Sequence, residues 1–372
     1  MPLTIRAAVL EEFGKPLNVT EVELDEPADR EVLVRLEACG VCHTDLYTAS
    51  GADPSGYSPT VLGHEGAGIV ERVGADVSGV APGDRVVTLF SPQCRECVHC
   101  KSPKTNLCMA IREQQNLGYL PDGTTRLSRN NRTERIRHFM GTSTFAQYTV
   151  MPEIALAKVP SEAPPDRACL FACGLSTGLG AAINTAKVEE ASTCVVFGAG
   201  MVGLGAVAGC RLRKAERIIC VDPSTERLEL ARGQGATDTW TAGPDTVDRV
   251  LEETGGFGAD FTFEATGRVD VMRHAVESAR MGWGLCTVAG VAGKGEELAV
   301  VPRYLITGRR VCGTSFGGVK GRDQVPELVQ LYLDGELDVD PFISHRIELD
   351  QVNRGFELME RQDGIRSVIT FA

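Results

Sequence analysis

The stretch Val195-Val196-Phe197-Gly198-Ala199-Gly200-Met201-Val202-Gly203 constrains the fold more than any other part of the chain. An apolar run of strand length passes into G-x-G-x-x-G and opens a helical pattern, the order expected where a helix N-terminus faces a pyrophosphate. Gly198 permits the tight turn, Gly200 lets phosphate approach the backbone, and Gly203 lets the helix pack close to the sheet; Met201 and Val202 belong to the same candidate coenzyme turn. A second apolar run, residues 217–221, leads into Asp222, 19 positions beyond Gly203. A carboxylate there can accept both hydroxyls of an adenosine ribose and repels a 2′-phosphate, so NAD is favoured over NADP. Arg227, five positions on, is placed along the adenosine edge. The alternative is a glycine-rich turn in an α/β domain that holds no ligand.

Around this turn, strand-length runs at 193–197, 217–221, 260–264 and 285–289 alternate with helix-length segments at 202–213, 225–233 and 270–280. That alternation predicts a parallel sheet with crossover helices. Residues 1–174 instead show short β segments, such as 32–37 and 67–73, cut by Gly and Pro turns like Ala81-Pro82-Gly83-Asp84. After residue 317 come one amphipathic helix, near 325–333, and a final apolar run, 367–371, read as a tail returning to the first domain. A length of 372 residues agrees with two domains rather than one core. The polar stretch 121–137 reads as a surface excursion. The uncharged run 194–210 could pass for a membrane span, but its five glycines and the fingerprint give it a better reading.

Fifty acidic against 38 basic side chains leave a formal charge of -12, which repels phosphate backbones and anionic membranes. Expected partners are therefore a small molecule, with no nucleic acid and no membrane. Thirteen cysteines cannot all pair within one chain, and their clustering points to thiolates holding metal in a reducing compartment. Residues 1–12 turn acidic too soon for a secretory signal, so a cytoplasmic location is expected. Cys94, Cys97, Cys100 and Cys108 follow C-x2-C-x2-C-x7-C, the spacing of a closed, structural Zn²⁺ site; free buried thiols or a redox pair are the alternative. Arg95, Lys101 and Lys104 would offset its negative charge, and His99, outside the filled shell, is expected to face solvent.

The segments Gly40-Val41-Cys42-His43-Thr44-Asp45, Gly63-His64-Glu65-Gly66-Ala67-Gly68 and Cys173-Gly174-Leu175-Ser176-Thr177-Gly178 complete a pattern. Taken singly, Cys42 or Cys173 reads as a small buried hydrophobe and His64 as a core histidine. Together with the four-cysteine loop and the glycine turn, the chain resembles, over essentially its whole length, the zinc-dependent alcohol dehydrogenases of the medium-chain dehydrogenase/reductase superfamily. The resemblance implies an α/β protein: a GroES-like, mainly β, zinc-binding catalytic domain from residues 1–174 and 317–372, and an NAD-binding Rossmann domain, a doubly wound parallel sheet, from 175–316. It implies two Zn²⁺ per chain, with Cys42, His64 and Cys173 on the catalytic one and an open position for water or substrate oxygen. Asp45 then orients His64, and Glu65 lies beneath the metal as a transient ligand. Thr44 takes the alcohol proton towards the nicotinamide ribose. Tyr47 stands where the best-known members end that relay in histidine, and a phenol is a poor base at neutral pH. His43 and Arg366 match positions near the pyrophosphate, and Thr177 packs on the nicotinamide. Residues 118–138 are present in dimeric members of the family, so a homodimer is expected, pairing the strand near 310–314 across a two-fold axis.

Within the family, the words Cys42-His43-Thr44-Asp45, Ser50-Gly51-Ala52-Asp53-Pro54, Pro103-Lys104-Thr105-Asn106-Leu107-Cys108, Met140-Gly141-Thr142-Ser143-Thr144-Phe145 and Phe316-Gly317-Gly318 are similar to class III, the glutathione-dependent formaldehyde dehydrogenases. Of the polar residues that class III turns towards glutathione, Asp53 and Arg112 match, whereas Ser55, Met109 and Met281 replace Glu, Gln and Lys. Phe90 stands for Tyr, and with Met140 it adds apolar lining. These replacements point to an oxidoreductase moving hydride between NAD and a primary, apolar or aromatic alcohol, giving an aldehyde or ketone. The alternative substrate is S-(hydroxymethyl)glutathione or another S-(hydroxymethyl)thiol. A further alternative is a non-catalytic, nucleotide-bound structural or sensor protein of the same fold.

Overall fold

Short β-branched runs broken by glycine and proline favour strands over helices in the first part of the chain. The computed structural model describes residues 2–53 and 56–371, so Ser55 lies outside the described residues. Ten strands come first: β1 (Leu3–Leu10), β2 (Asn18–Leu24), β3 (Glu31–Val41), β4 (Thr60–Val61), β5 (Glu65–Val73), β6 (Arg85–Thr88), β7 (Leu127–Arg129), β8 (Glu134–His138), β9 (Tyr148–Pro152) and β10 (Leu156–Lys158). β1, β2, β7, β8 and β4 close into a barrel, and β3 is the hub of a second sheet, paired antiparallel with both β5 and β9.

The stretch expected to be a surface excursion is thus part of the barrel. β7 and β8 turn Leu127 and Ile136 into its core, while their charged neighbours are neutralised: Arg126 lies between Glu31 and Asp122, and Arg129 pairs with Glu11. These paired charges hid a barrel strand pair that composition alone reads as polar.

Six parallel strands follow: β11 (Thr193–Phe197), β12 (Arg217–Asp222), β13 (Asp238–Thr241), β14 (Phe261–Glu264), β15 (Leu285–Val288) and β16 (Arg310–Gly313). Their order is β13-β12-β11-β14-β15-β16, with the helices Met201–Leu212, Thr225–Gln234, Thr246–Glu253 and Val269–Ser278 among the crossovers. This is the expected doubly wound sheet. β11 is buried along nearly its whole length, as a strand between two helical layers must be. Sequence periodicity misses β13 and the helix Thr246–Glu253, because a four-residue outer strand rich in Thr and Asp carries no apolar run.

The tail adds the helix Gly321–Leu333, β17 (Ile343–Ile347), the helix Val352–Glu360 and β18 (Arg366–Thr370). β18 pairs antiparallel with β3, setting Ser367 opposite Val41, and parallel with β17. The chain divides into two compact units, Met1–Cys173 with Lys320–Ala372, and Gly174–Val319. Among the described residues no single helix is long and apolar enough to cross a membrane; the run 194–210 is β11, the glycine turn and the start of a buried helix.

Candidate active site

β3 ends at Val41, and Cys42 caps the helix His43–Ala49 in an extended conformation. The spacing Cys-His-Thr-Asp places Asp45 at the third helical position, where its Oδ2 accepts from the Cys42 N–H at 3.0 Å. Its Oδ1 accepts from the Gly63 N–H at 3.1 Å and holds His64 Nδ1 at 3.0 Å. Nε2 is therefore the ring nitrogen left to ligate. The Thr88 hydroxyl donates to the His64 carbonyl and accepts from Gly66, which fixes the start of β5. The rings of Phe90 and Phe139 stand edge-on to the imidazole, with centroids at 5.8 and 5.9 Å.

These contacts gather the ligating atoms of Cys42, His64, Glu65 and Cys173 within 4.8 Å of one another. The hydrogen bond with Cys173 lowers the Cys42 thiol well below its usual range, and Cys173 rises correspondingly. Burial opposes charge on His64, but the Asp45 carboxylate overrides it and raises the imidazole well above its ordinary value. Burial pushes Glu65 up to about 7, with Arg366 pulling the other way. Both Glu65 carboxylate oxygens are buried without an aligned hydrogen bond. Two sulfurs, one imidazole nitrogen and an under-satisfied carboxylate fit a borderline-soft divalent cation, Zn²⁺ above others.

Arg366, which the resemblance places near the pyrophosphate, is 5% exposed. Its Nη1 donates to the Val41 carbonyl at 2.6 Å and its Nη2 lies 3.2 Å from Glu65 Oε1. No local sequence pattern joins Arg366 to Val41 or Glu65, so only the fold makes this pairing. Thr44 places its hydroxyl 3.7 Å from Cys42 Sγ, one turn before the half-buried Tyr47; His43 is exposed.

The four sulfurs of Cys94, Cys97, Cys100 and Cys108 form a second cluster. Cys94 and Cys100 are 3.8 Å apart and Cys97 and Cys108 4.0 Å apart. A tetrahedral Zn–S4 centre with bonds of about 2.3 Å has edges of about 3.8 Å, so the cage has the right size. Backbone N–H groups of Glu96, Cys97 and Cys100 donate to sulfur, and the Met109 N–H is the largest of the influences that lower Cys97 to about 6. His99 does not simply face solvent: it is half-buried, with Nδ1 bonded to the Leu107 carbonyl at 2.7 Å. Of the cations expected to offset the thiolates, Arg95 is engaged with Asp323. The loop is instead gripped by Lys320, whose Nζ donates to the carbonyls of Cys100 and Ser102 at 2.7 and 2.9 Å, a contact no sequence spacing reveals.

In the second unit the glycine turn has the geometry that its residues require. Gly198 adopts φ +98, and a Cβ on Gly203 would lie 1.7 Å from the Gly198 carbonyl oxygen. A Cβ on Gly200 would meet nothing within 4 Å, which leaves open space over the backbone at the N-terminus of Met201–Leu212. Asp222 ends β12 with Oδ2 accepting from Ala199 at 2.7 Å and Oδ1 from Ser224 at 2.8 Å. The carboxylate thus ties the glycine turn to the next loop. Thr177 is buried in the helix Gly174–Gly180, and Arg227 is half-buried in the first turn of Thr225–Gln234.

In the first unit, Asp53 accepts from the Thr48 hydroxyl at 2.9 Å. Arg112 opens the helix Arg112–Asn116, is exposed, and forms no ion pair among the described residues. Met109 is 52% exposed; in the second unit Met281 is 47% exposed.

Residues 28–161 match the family model of the alcohol dehydrogenase GroES-like domain, and residues 201–334 that of the zinc-binding dehydrogenases. The chain is 50% identical over 368 residues to the class-3 alcohol dehydrogenase of Myxine glutinosa, covering 98% of this chain and 97% of that one. It is 48% identical over 370 residues to the S-(hydroxymethyl)glutathione dehydrogenase of Escherichia coli O1:K1, covering 98% and 99%. Among solved structures, the benzyl alcohol dehydrogenase of Acinetobacter calcoaceticus is similar with a TM-score of 0.92 at 30% identity over the full length of both chains.

Proposed function

Because the chain belongs to the zinc-dependent alcohol dehydrogenases of the medium-chain dehydrogenase/reductase superfamily, we propose that it oxidises the hydroxymethyl group of an S-(hydroxymethyl)thiol, glutathione or another small thiol, with NAD as hydride acceptor. The observation that carries this reading is Arg112, an exposed guanidinium with no ion pair among the described residues, suited to a carboxylate of the thiol carrier. The names of the relatives from Myxine glutinosa and Escherichia coli favour it over the apolar alcohol that Met109 and Met281 suggest.

Cys42, His64 and Cys173 would hold the catalytic ion and Cys94, Cys97, Cys100 and Cys108 the structural one. When bound, the catalytic zinc supplies a Lewis acid that makes a hydroxyl easier to deprotonate. Asp45 keeps His64 in the tautomer that turns Nε2 to the cluster, and the Phe90 and Phe139 edges keep water from that ring. Thr44 accepts the hydroxyl proton at Oγ1 and hands on its own towards the coenzyme ribose and water. One hydride leaves the carbon for NAD, one proton leaves for solvent, and the product is the two-electron-oxidised thioester.

The test follows NADH absorbance with formaldehyde plus glutathione, and separately with free primary alcohols of rising chain length. Turnover confined to the thiol adduct supports the reading. Turnover confined to free alcohols transfers the assignment to the second reading, which Met109, Phe90 and Met140 favour.

Asp222 decides the coenzyme. Replacing it with Ser removes charge-assisted bonds worth about 1.5–3 kcal/mol each and loosens the Ala199 turn. A rise in KM for NAD of about a hundredfold is expected, with KM for NADP falling or unchanged. NADH fluorescence titration checks it, and a wild type that prefers NADP would refute the assignment.

The assembly expected is a homodimer. β16 pairs with β15 alone among the described strands and is largely exposed, and in the same unit Ile306 is 84% and Leu305 45% exposed. An open edge beside apolar side chains is covered when a second copy pairs with it. Val311→Pro combined with Ile306→Glu should halve the mass measured by light scattering; a wild type already monomeric at micromolar concentration refutes the dimer.

A further inference from the structure

The two apolar residues given to the substrate wall, Phe90 and Met140, come from segments far apart in sequence, and sheet pairing holds neither. β6 stops at Thr88 and β8 at His138. A single side chain bridges them. The Gln115 amide Nε2 donates to the Phe90 carbonyl at 2.8 Å and to the Met140 carbonyl at 2.7 Å, spending both of its hydrogens on these two segments. Gln115 is 9% exposed, so water does not replace these bonds freely when they are lost.

The backbone at Met140 needs such support. Its φ of +51 lies in the left-handed region, which an unbranched but bulky residue keeps only where the surroundings impose it. The rest of that turn is bound to the strand entering the metal cluster. The Thr142 hydroxyl lies within hydrogen-bonding distance of the Gly63 and Phe139 carbonyls, and the Ser143 hydroxyl donates to Val61. Gln115 thus closes a frame whose other sides carry Phe90 and Phe139, the two rings edge-on to His64. Its own helix, Arg112–Asn116, begins four residues after Cys108, the last cysteine of the structural cluster.

We infer that Gln115 is a positioning residue for substrate selection: it sets the spacing between Phe90, beside His64, and Met140, next to Phe139, and joins that spacing to the four-cysteine loop. It touches no reacting atom, and the inference rests on the reading that Phe90 and Met140 line the substrate site.

The test compares the holoenzyme with Gln115→Met, which keeps the length and removes both donors, and Gln115→Glu, which keeps the shape and sets a carboxylate against two carbonyls. In both, hydrogen–deuterium exchange should quicken about tenfold in peptides covering residues 88–92 and 138–144, with exchange elsewhere, zinc content and the NADH dissociation constant within twofold of wild type. The kcat/KM ratio between the longest and shortest primary alcohols turned over, or between the thiol adduct and ethanol, should shift at least fivefold through KM. Unchanged exchange in those peptides, or an unchanged ratio in a folded variant, overturns the inference. So does a joint loss of zinc, NADH affinity and stability, the mark of a merely structural glutamine. If one variant does not fold, the other decides. A wild type that oxidises no substrate defeats the proposed function, while the exchange measurement still decides whether Gln115 holds the two segments.

Discussion

Replacing His64 with alanine should leave about one zinc per chain and lower kcat/KM about a thousandfold or more. A Lewis acid contributes several kcal/mol to an alcohol oxidation, and each 1.4 kcal/mol or so is tenfold in rate. The imidazole is buried between the edges of Phe90 and Phe139, with Nδ1 tied to Asp45, so no neighbour can swing in to replace Nε2. Glu65, the nearby carboxylate 3.2 Å from Arg366, is a hard oxygen donor and does not restore the imidazole. Asp45→Asn supplies a graded comparison: the ligand set stays, but the carboxylate that orients the ring is lost, and a decrease of about 10–100-fold is expected. Elemental analysis and steady-state rates measured on the same samples separate the two effects. A His64→Ala protein that keeps two zincs and near-normal turnover would refute the site.

The second large effect is on stability. Cys97→Ser should remove the other zinc, lower the melting temperature by roughly 10 °C and open the loop to proteolysis, because losing a structural metal costs several kcal/mol and each is worth about 2–4 °C in a unit of this size. The loop has little else to fold it: a four-residue helix, Val98–Lys101, and few buried apolar side chains. The pair Arg95–Asp323, about half exposed on both sides, contributes at most about 1 kcal/mol, so Arg95→Ala should move the melting temperature only slightly. Lys320→Met should lie between the two, since its ammonium satisfies two loop carbonyls at once. A Cys97→Ser chain that melts with the wild type would mean that the thiol cage is not a structural metal site.

Much of this site is legible in the sequence. The glycine turn, the Asp222 that follows it and the four-cysteine spacing are local: each depends on residues a few positions apart or at the end of the next strand, where backbone periodicity fixes what faces what. Asp53 and Arg112 are marked only by the resemblance to class III, not by any local spacing. The substrate is less legible: three replaced side chains point to an apolar alcohol, whereas the relatives at 48–50% identity are named for class III and for S-(hydroxymethyl)glutathione.

What sequence alone determined, then, is the chemistry available: soft ligands in two sets, a left-handed glycine at the head of a helix, and a carboxylate on the strand beyond. What only tertiary structure decided is which charges and amides serve those groups. Arg366 reaches the Val41 carbonyl from 325 positions away because β18 lies against β3 in one register, and Lys320 reaches Cys100 from 220 positions away. β7 and β8 became barrel strands because Arg126, just before β7, and Arg129, at its end, found carboxylates far away in the chain, Glu31 and Glu11. A buried charge or amide must be satisfied, but its partner exists only once the sheets have closed, and no periodicity in the chain encodes that meeting.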